Sequence, residues 1–320
     1  MRQVVQGDDM ALGPEDMEEI ATRVAERLGR RLGAARAGVE EPCEARPGDQ
    51  TAQRQSSDAV EPQCVEHCVD CNASDSCPTY NLLQLGADRI APLGAPRTSS
   101  DVAQHIDHTL LKPDATIQEI DKLCEEARRY GFATVCLNSV NIAYAARLLA
   151  GSHTVPIAVV GFPLGASAPK AKAFEAREAV RCGAREIDMV INQTALKSKD
   201  YRLALDDISS VVRAVSPIPV KVILETGALT SDEKIAGCVL AKAAGAAYVK
   251  TSTGFGAGGA TVEDVSLMRR IVGAGMGVKA SGGIRTAEDA AKMFAAGADR
   301  VGASASVAIV TGQKAAAGKY

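Results

Sequence analysis

Hydrophobic and polar positions alternate regularly from residue 104 onward, where short β-branched runs are followed by Ala-rich amphipathic segments. The apolar runs predict eight strands, at 104–107, 133–137, 156–161, 185–191, 219–224, 247–251, 276–280 and 300–303. The segments between them predict helices near 117–130, 139–150, 168–182, 200–214, 231–244, 262–272, 286–296 and 304–310. Strict alternation indicates a parallel sheet, and eight strands are the number that closes a barrel.

We therefore predict an α/β fold for residues 101–310, a (β/α)8 TIM barrel, followed by a C-terminal tail at 311–320. An open doubly wound sheet is the alternative, because it has the same alternation of strand and helix. No G-x-G-x-x-G motif follows the first predicted strand, which disfavours a dinucleotide-binding domain of that kind.

A different pattern occupies residues 1–33. Within 14–33 the apolar side chains recur at three- and four-residue steps and form one stripe of an amphipathic helix, at Met17, Ile20, Ala21, Val24, Leu28 and Leu32. Two interpretations stay open: the stripe packs on the barrel or on a sister subunit, or it inserts into a groove on another protein. In the second case the segment resembles the encapsulation peptides that recruit enzymes into bacterial microcompartments, and its partner would be a shell or core protein.

Composition divides the chain near residue 100. The first 100 residues contain 17 Asp and Glu, 10 Arg and no Lys, a net charge of −7, whereas the remaining 220 have a net charge of +4. Residues 34–62 almost lack large apolar side chains, which predicts a flexible linker and a largely disordered N-terminal extension.

The whole-chain values exclude several classes of protein. A hydrophobic fraction of 46% and a charged fraction of 23% are those of a globular chain. No apolar run approaches the length of a membrane span, and no secretory signal is recognisable, so we expect a cytoplasmic protein. The net charge of −3 gives no reason to expect nucleic acid as a partner.

Cysteines are concentrated in residues 63–100. Four of the nine in the chain lie within 14 residues, at Cys64, Cys68, Cys71 and Cys77. Four soft ligands at this density can bind a structural zinc ion or an iron–sulfur cluster. The spacing matches neither the common zinc pattern nor the ferredoxin run, so a cluster without metal, or a redox disulfide, stays open as the alternative.

Two predicted strands end in lysine, at Lys250 and Lys279. A lysine in a strand of a parallel sheet either pairs with a carboxylate or acts as a nucleophilic amine. If the two ammonium groups are neighbours, each raises the cost of the other's charge and one pKa falls. Asp188, in another apolar strand, would be its salt-bridge partner or an acid/base group. Asp107 and Lys221 extend the same predicted cluster.

Glycine-rich turns follow the last three predicted strands. They contain Thr253 and Gly254, then Gly282 and Gly283, then Ser304. Backbone N–H groups at such turns bind phosphate, and barrels frequently place a phosphate after strands seven and eight.

These residues bring a family into view. The segment from about 100 to 310 resembles deoxyribose-phosphate aldolase, a class I aldolase that forms a Schiff base, in a series of stretches that includes IDHTLLKPDAT (106–116), EIDMVINQTALKSKDY (186–201), KVILETGALT (221–230), YVKTSTGFGAGGAT (248–261) and VKASGGIRTAEDA (278–290). The resemblance assigns the Schiff base to Lys250, control of its pKa and proton transfer to Lys279, and acid/base catalysis to Asp188. It places Cys136 near the site and the substrate phosphate at Gly282, Gly283 and Ser304. Where some members have two consecutive serines, this chain has Ser304-Ala305-Ser306, and a terminal tyrosine, here Tyr320, has a role in some of them.

The resemblance implies reversible aldol cleavage of 2-deoxy-D-ribose 5-phosphate, without a cofactor for catalysis. For the assembly we expect a homo-oligomer, a dimer. Two other hypotheses are another phosphate-binding barrel enzyme and a recruitment protein with an inactive barrel. The first predicts no trappable imine. The complete set of Lys250, Lys279 and Asp188 argues against the second.

Overall fold

The structure, a computed structural model, describes residues 22–23 and 102–313 of the chain. Of the predicted helix over 14–33 it describes Thr22 and Arg23, both helical and exposed. The predicted linker at 34–62, the cysteine cluster and Tyr320 lie outside the described residues.

Eight parallel strands form a closed barrel in which each strand pairs with the next along the chain and the eighth pairs with the first. They are β1 Ile106–Leu110, β2 Thr134–Asn138, β3 Val155–Val160, β4 Glu186–Val190, β5 Val220–Ile223, β6 Tyr248–Lys250, β7 Gly277–Ser281 and β8 Arg300–Ala303. The predicted TIM barrel is therefore confirmed, and the open sheet is excluded.

Helices follow every strand. Within residues 102–313 they are α1 Ile117–Tyr130, α2 Ile142–Leu148, α3 Pro169–Arg181, α4 Gln193–Lys197, α5 Tyr201–Val215, α6 Ser231–Ala243, α7 Val262–Val272, α8 Ala287–Ala295 and α9 Ser306–Thr311. Three of them begin with a capping box, in which a threonine and an acidic residue three positions later bind each other's backbone N–H groups. No helix in the described part of the chain is long and apolar enough to cross a membrane.

Two elements differ from the sequence prediction. The first strand begins at Ile106 and continues to Leu110, because Asp107 and Thr109 alternate with side chains on the other face. His108 on that other face contacts Glu126 of α1 at 2.9 Å. The short helix α4 has no predicted counterpart; the Asn192 side chain caps it by accepting from the N–H of Ala195 at 3.0 Å.

The barrel interior is unusually polar. Strand alternation and register place inward-facing side chains in layers of four, each taken from alternate strands. Beginning at the N-terminal end of the strands, the first layer contains Thr134, Glu186, Tyr248 and Arg300, the second Asp107, Ile157, Lys221 and Lys279, and the third Cys136, Asp188, Lys250 and Gly302. The main apolar core lies instead between the strands and the helices.

Candidate active site

Three lysine amines converge on one carboxylate near the C-terminal ends of the strands. Asp188 Oδ2 accepts from Lys250 Nζ at 2.9 Å and from Lys279 Nζ at 2.7 Å. Its other oxygen, Oδ1, accepts from Lys221 Nζ at 3.0 Å. All four side chains are buried. The strands β4 to β7 thus bring together residues that are up to 91 positions apart in the chain.

A second set of charges lies directly below. Asp107 contacts Lys279 Nζ at 2.5 Å through Oδ2 and Arg300 at 2.5 Å through Oδ1, which also accepts from Thr134 at 2.8 Å. Glu186 accepts from Arg300 Nη2 at 2.9 Å and binds Lys221 through its other oxygen. The predicted contributions of Asp107 and Lys221 to one polar cluster are therefore seen in the geometry.

Lys250 is the amine whose charged form this surrounding disfavours. Burial, together with the neighbouring charge of Lys279, holds the pKa of Lys250 below its ordinary value, although Asp188 opposes the shift. The like-charge effect of Lys279 expected from the sequence is present, but burial is the larger cause. An amine with a lowered pKa is the nucleophile that attack on a carbonyl requires.

The partners of Lys250 remain charged at neutral pH. Burial disfavours the Lys279 ammonium, but the carboxylates of Asp107 and Asp188 raise the pKa of Lys279 well above its ordinary range. Burial would likewise raise the pKa of Asp188, yet the three lysines hold it well below its usual range. The site therefore combines an amine of lowered pKa with a protonated lysine and an ionised carboxylate.

One side of the interior is apolar. Cys136 packs with Leu111, Ile157 and Val159 in a small buried cluster, against which Phe162 also lies. Burial raises the pKa of the Cys136 thiol to about 11, so it stays protonated at neutral pH. Cys136 lies in the same layer as Asp188 and Lys250, as expected for a residue near the site.

The loops after β6 and β7 are bound to each other. Thr251 Oγ1 lies 3.0 Å from both the carbonyl oxygen and the backbone nitrogen of Ser281, whose hydroxyl donates to the Ser252 carbonyl at 2.6 Å. Gly282 has a φ of +88°. It packs so closely on Gly259 that a Cβ added to Gly259 would lie 2.5 Å from the carbonyl oxygen of Gly282. Glycine is required at both positions, and the exposed Gly283, with a φ of +80°, follows.

Thr253, predicted to contact phosphate, is hydrogen-bonded instead to Glu225, a residue that the sequence analysis missed. The carboxylate of Glu225 accepts from the Thr253 backbone N–H at 3.2 Å and also from its hydroxyl. Glu225 has a φ of +61°, in the left-handed region that a non-glycine residue rarely adopts, and is almost fully buried. Such strained residues cluster at functional sites, and this one fixes the loop after β6.

The third predicted phosphate loop follows β8. Ser304 is exposed, just before α9, while the Ser306 hydroxyl is buried and donates to the Ala303 carbonyl at 2.8 Å. In the strand itself, Gly302 leaves room for a lysine, because a Cβ there would lie 3.0 Å from Lys279 Cε. The predicted phosphate residues thus lie in the loops that follow β6, β7 and β8.

Glu186 and Arg300 are the other functional candidates that the sequence analysis missed. Glu186 lies two residues before Asp188 in the same strand, so alternation alone places both side chains on one face. Arg300 begins a strand of small and apolar residues and is nevertheless buried. In both cases the sequence contained a usable signal, a charged residue within a predicted buried strand.

A closed parallel barrel with a buried amine of lowered pKa, a carboxylate and glycine loops is typical of enzymes that act on carbonyl compounds through a lysine Schiff base. A family model for DeoC/LacD family aldolases matches residues 101–313. The chain belongs to this family and is an aldolase, a carbon–carbon lyase.

Among the similar proteins, the deoxyribose-phosphate aldolase of Listeria welshimeri is 55% identical over 214 residues, 67% of this chain and 96% of that protein. That of a Thermoanaerobacter species is 57% identical over 213 residues, 66% of this chain and 96% of that protein. A solved structure described as the unique tetrameric structure of deoxyribose phosphate aldolase from Aeropyrum pernix is 34% identical, with a TM-score of 0.63, covering 73% of this chain and 97% of that one.

Proposed function

We propose that this chain catalyses the reversible aldol cleavage of 2-deoxy-D-ribose 5-phosphate to D-glyceraldehyde 3-phosphate and acetaldehyde, with Lys250 forming the Schiff base. The observation that supports this most is the contact of the Lys250 amine, with its lowered pKa, with Asp188 at 2.9 Å beside the protonated Lys279. The name of the relatives, whose length the chain covers almost completely, indicates the substrate.

The reaction begins with the free Lys250 amine adding to the C1 aldehyde of the open-chain sugar. A proton moves from nitrogen to oxygen, water leaves, and a protonated C=N bond forms. Loss of the proton from the 3-hydroxyl then breaks the bond between C2 and C3, whose electron pair neutralises the iminium nitrogen. Glyceraldehyde 3-phosphate departs and an enamine remains. Protonation at C2 and hydrolysis release acetaldehyde and restore the amine.

The charged neighbours have distinct parts in these steps. Lys279 stays protonated at neutral pH because Asp107 and Asp188 raise its pKa, so it is the group beside Lys250 that can protonate the departing hydroxyl. Asp188 has a pKa well below its usual range, so it is a weak base and stabilises the iminium charge through its contact with Lys250. Once Lys279 has given up its proton, it accepts the proton of the 3-hydroxyl, through a water that contacts Asp188 and Lys279, and returns it to C2 of the enamine.

The substrate phosphate is assigned to the loops after β6, β7 and β8. Gly254, Gly282, Gly283 and Ser304 supply backbone N–H groups and one hydroxyl. Thr253 takes part through the loop that it forms with Glu225. In the proposed binding mode the phosphate lies at the rim and the C1 aldehyde points toward Lys250.

Borohydride trapping tests the proposal. We expect deoxyribose 5-phosphate and borohydride to modify one peptide, the one that contains Lys250, and Lys250→Met to abolish the modification. Lys122→Met is the matched control, because Lys122 is largely exposed on α1. Trapping that survives in Lys250→Met would overturn the assignment, and a wild-type protein that forms no imine would favour another phosphate-binding barrel enzyme.

For the N-terminal extension we infer recruitment into a bacterial microcompartment by the amphipathic stripe of residues 14–33, and we propose that the aldolase acts there in sugar or deoxynucleotide degradation. Fusing residues 1–40 to a fluorescent protein tests this. Targeting should be lost when Leu28 is changed to Glu and kept when Arg23 is changed to Glu. Targeting that survives Leu28→Glu would contradict the stripe.

Two further parts of the proposal concern metal binding by the cysteine segment and the assembly of the barrel. Cys64, Cys68, Cys71 and Cys77 would bind one structural zinc ion or an iron–sulfur cluster, and elemental analysis of the full chain, with Cys71→Ser as the comparison, measures it. The barrel would form a homodimer. Light scattering measures the assembly, since the structure from Aeropyrum pernix is described as tetrameric.

A further inference from the structure

The ionisable groups inside the barrel balance without the nucleophile. The interior brings together three carboxylates and four basic side chains, at Asp107, Asp188, Glu186, Lys221, Lys250, Lys279 and Arg300. If Lys250 is neutral, three positive charges face three negative ones. If Lys250 is protonated, the buried cluster has one uncompensated positive charge, which is costly away from water.

The remaining titratable groups around Lys250 leave this balance unchanged. Burial raises the pKa of Cys136 to about 11 and that of Tyr248 to about 12, so both are neutral at neutral pH. From β3 the interior receives Ile157 and Val159, which have no charge. Glu225 lies beyond the strand ends, where Thr253 binds its carboxylate.

Within the cluster, one ion pair lies in the layer farthest from Lys250. Arg300 and Glu186 contact each other at 2.9 Å in the first layer, and Lys250 is in the third. Arg300 also binds Asp107, and Glu186 binds Lys221. The pair is thus connected through one further residue on each side to the groups that surround the nucleophile.

We propose that Arg300 and Glu186 are positioning residues that set the protonation state of the Lys250 amine by fixing the net charge of the barrel interior, without touching it. Both side chains are buried, so water screens their charges little. Arg300 contributes the third positive charge, so the interior is electrically neutral when Lys250 carries no proton. Glu186 contributes a negative charge, which keeps the pH midpoint of the Lys250 amine from falling far below the pH at which the protein works. The inference deepens the proposed function, because it concerns the same nucleophile.

The test is a double-mutant cycle in which the two single variants should shift the pH midpoint of Lys250 in opposite directions. Glu186→Gln leaves the interior with one extra positive charge, so the pH midpoint of Lys250 should fall. Arg300→Gln leaves one extra negative charge, so the midpoint should rise. Each shift should be on the order of one pH unit. The double variant restores neutrality and should return the midpoint to within a few tenths of a unit of wild type. Arg300→Lys keeps the charge and should also stay near wild type.

Carbamylation by cyanate gives the midpoint without relying on aldolase activity, because cyanate modifies neutral amines. The rate at the Lys250 peptide is measured against pH by mass spectrometry, with the exposed Lys122 as the internal reference for the reagent. Opposite shifts that cancel in the double variant support the proposal. Unchanged midpoints, shifts of the same sign, or a double variant that keeps a single variant's shift would overturn it.

The experiment remains decisive if one variant fails to fold or if the proposed function is wrong. If Arg300→Gln does not fold, the comparison of Glu186→Gln with the double variant still measures the effect of the Arg300 charge. Failure of the proposed function is seen separately, as a wild-type protein that carbamylates normally at Lys250 but traps no imine from deoxyribose 5-phosphate.

Discussion

Individual residues in the strands make room for the long charged side chains of the interior. Gly302 faces Lys279, and a Cβ there would lie 3.0 Å from Lys279 Cε and 3.1 Å from Ser281 Cβ. Gly277 faces the ring of Tyr248, where a Cβ would approach to 2.1 Å. Glycine weakens a strand, so its presence at these two positions follows from the space that the neighbouring side chains need.

Gly302→Ala should therefore impair catalysis more than folding. The new methyl group displaces Lys279 by a few tenths of an ångström from its contacts with Asp107 and Asp188, and misplacement on that scale should lower kcat about tenfold. Steady-state kinetics with deoxyribose 5-phosphate measure the effect. Gly275→Ala is the control, because its Cβ would meet open space, and it should leave kcat unchanged. Equal kcat values in the two variants would contradict this role of Gly302.

Among the elements, β4 is fastened from outside the barrel by a buried ion pair between two helices. Lys172 of α3 donates to the Val190 carbonyl at 2.8 Å and contacts Asp207 of α5 at 2.7 Å. Asp207 accepts in turn from the Asn192 backbone N–H at 3.1 Å. Both groups fix the C-terminal end of the strand that contains Asp188.

Breaking this pair should destabilise the barrel strongly. Asp207→Asn leaves the buried Lys172 without its counter-charge and should cost about 3 kcal/mol of unfolding free energy, measured by urea titration. Replacing both partners, with Lys172→Met and Asp207→Leu, should recover most of that loss, because no buried charge remains unpaired. A double variant no more stable than Asp207→Asn would show that the pair's hydrogen bonds to the backbone matter more than its charges.

At the scale of the whole molecule, the interior ion network links stability to pH. Lysine contacts hold the pKa values of Asp107 and Asp188 below those of an unfolded chain. As the pH falls below about 4, the unfolded state takes up protons that the folded state does not, so folding stability must decrease. The stabilisation from both carboxylates is present above that range and is lost on acidification.

The free energy of unfolding should accordingly fall between pH 5 and pH 3, by up to about 1.4 kcal/mol per pH unit for each such carboxylate. Urea titrations at several pH values measure the slope. Asp188→Asn should lower the slope by the contribution of one carboxylate. The exposed Asp114→Asn should keep the wild-type slope. An unchanged slope in Asp188→Asn would mean that its carboxylate is not the source of the linkage.

The sequence by itself determined the alternation of eight strands and eight of the helices, and the strands in which Lys250, Lys279 and Asp188 lie. These are local properties, since apolar periodicity and capping residues act within a few positions. Sequence reasoning misplaced the first strand and missed α4, because the polar inward face of β1 and the cap at Asn192 interrupt the apolar pattern.

Tertiary structure alone decided the contacts of Arg300, Glu186 and Glu225. Arg300 contacts Asp107 across 193 positions of the chain and Glu186 across 114, and Glu225 reaches Thr253 in the loop after the next strand. These contacts exist only because the barrel closes β8 against β1 and stacks inward side chains from alternate strands in layers. Lys250 could be located from its strand, but the charges around it come from β1, β4, β5, β7 and β8, which only the closed barrel brings together.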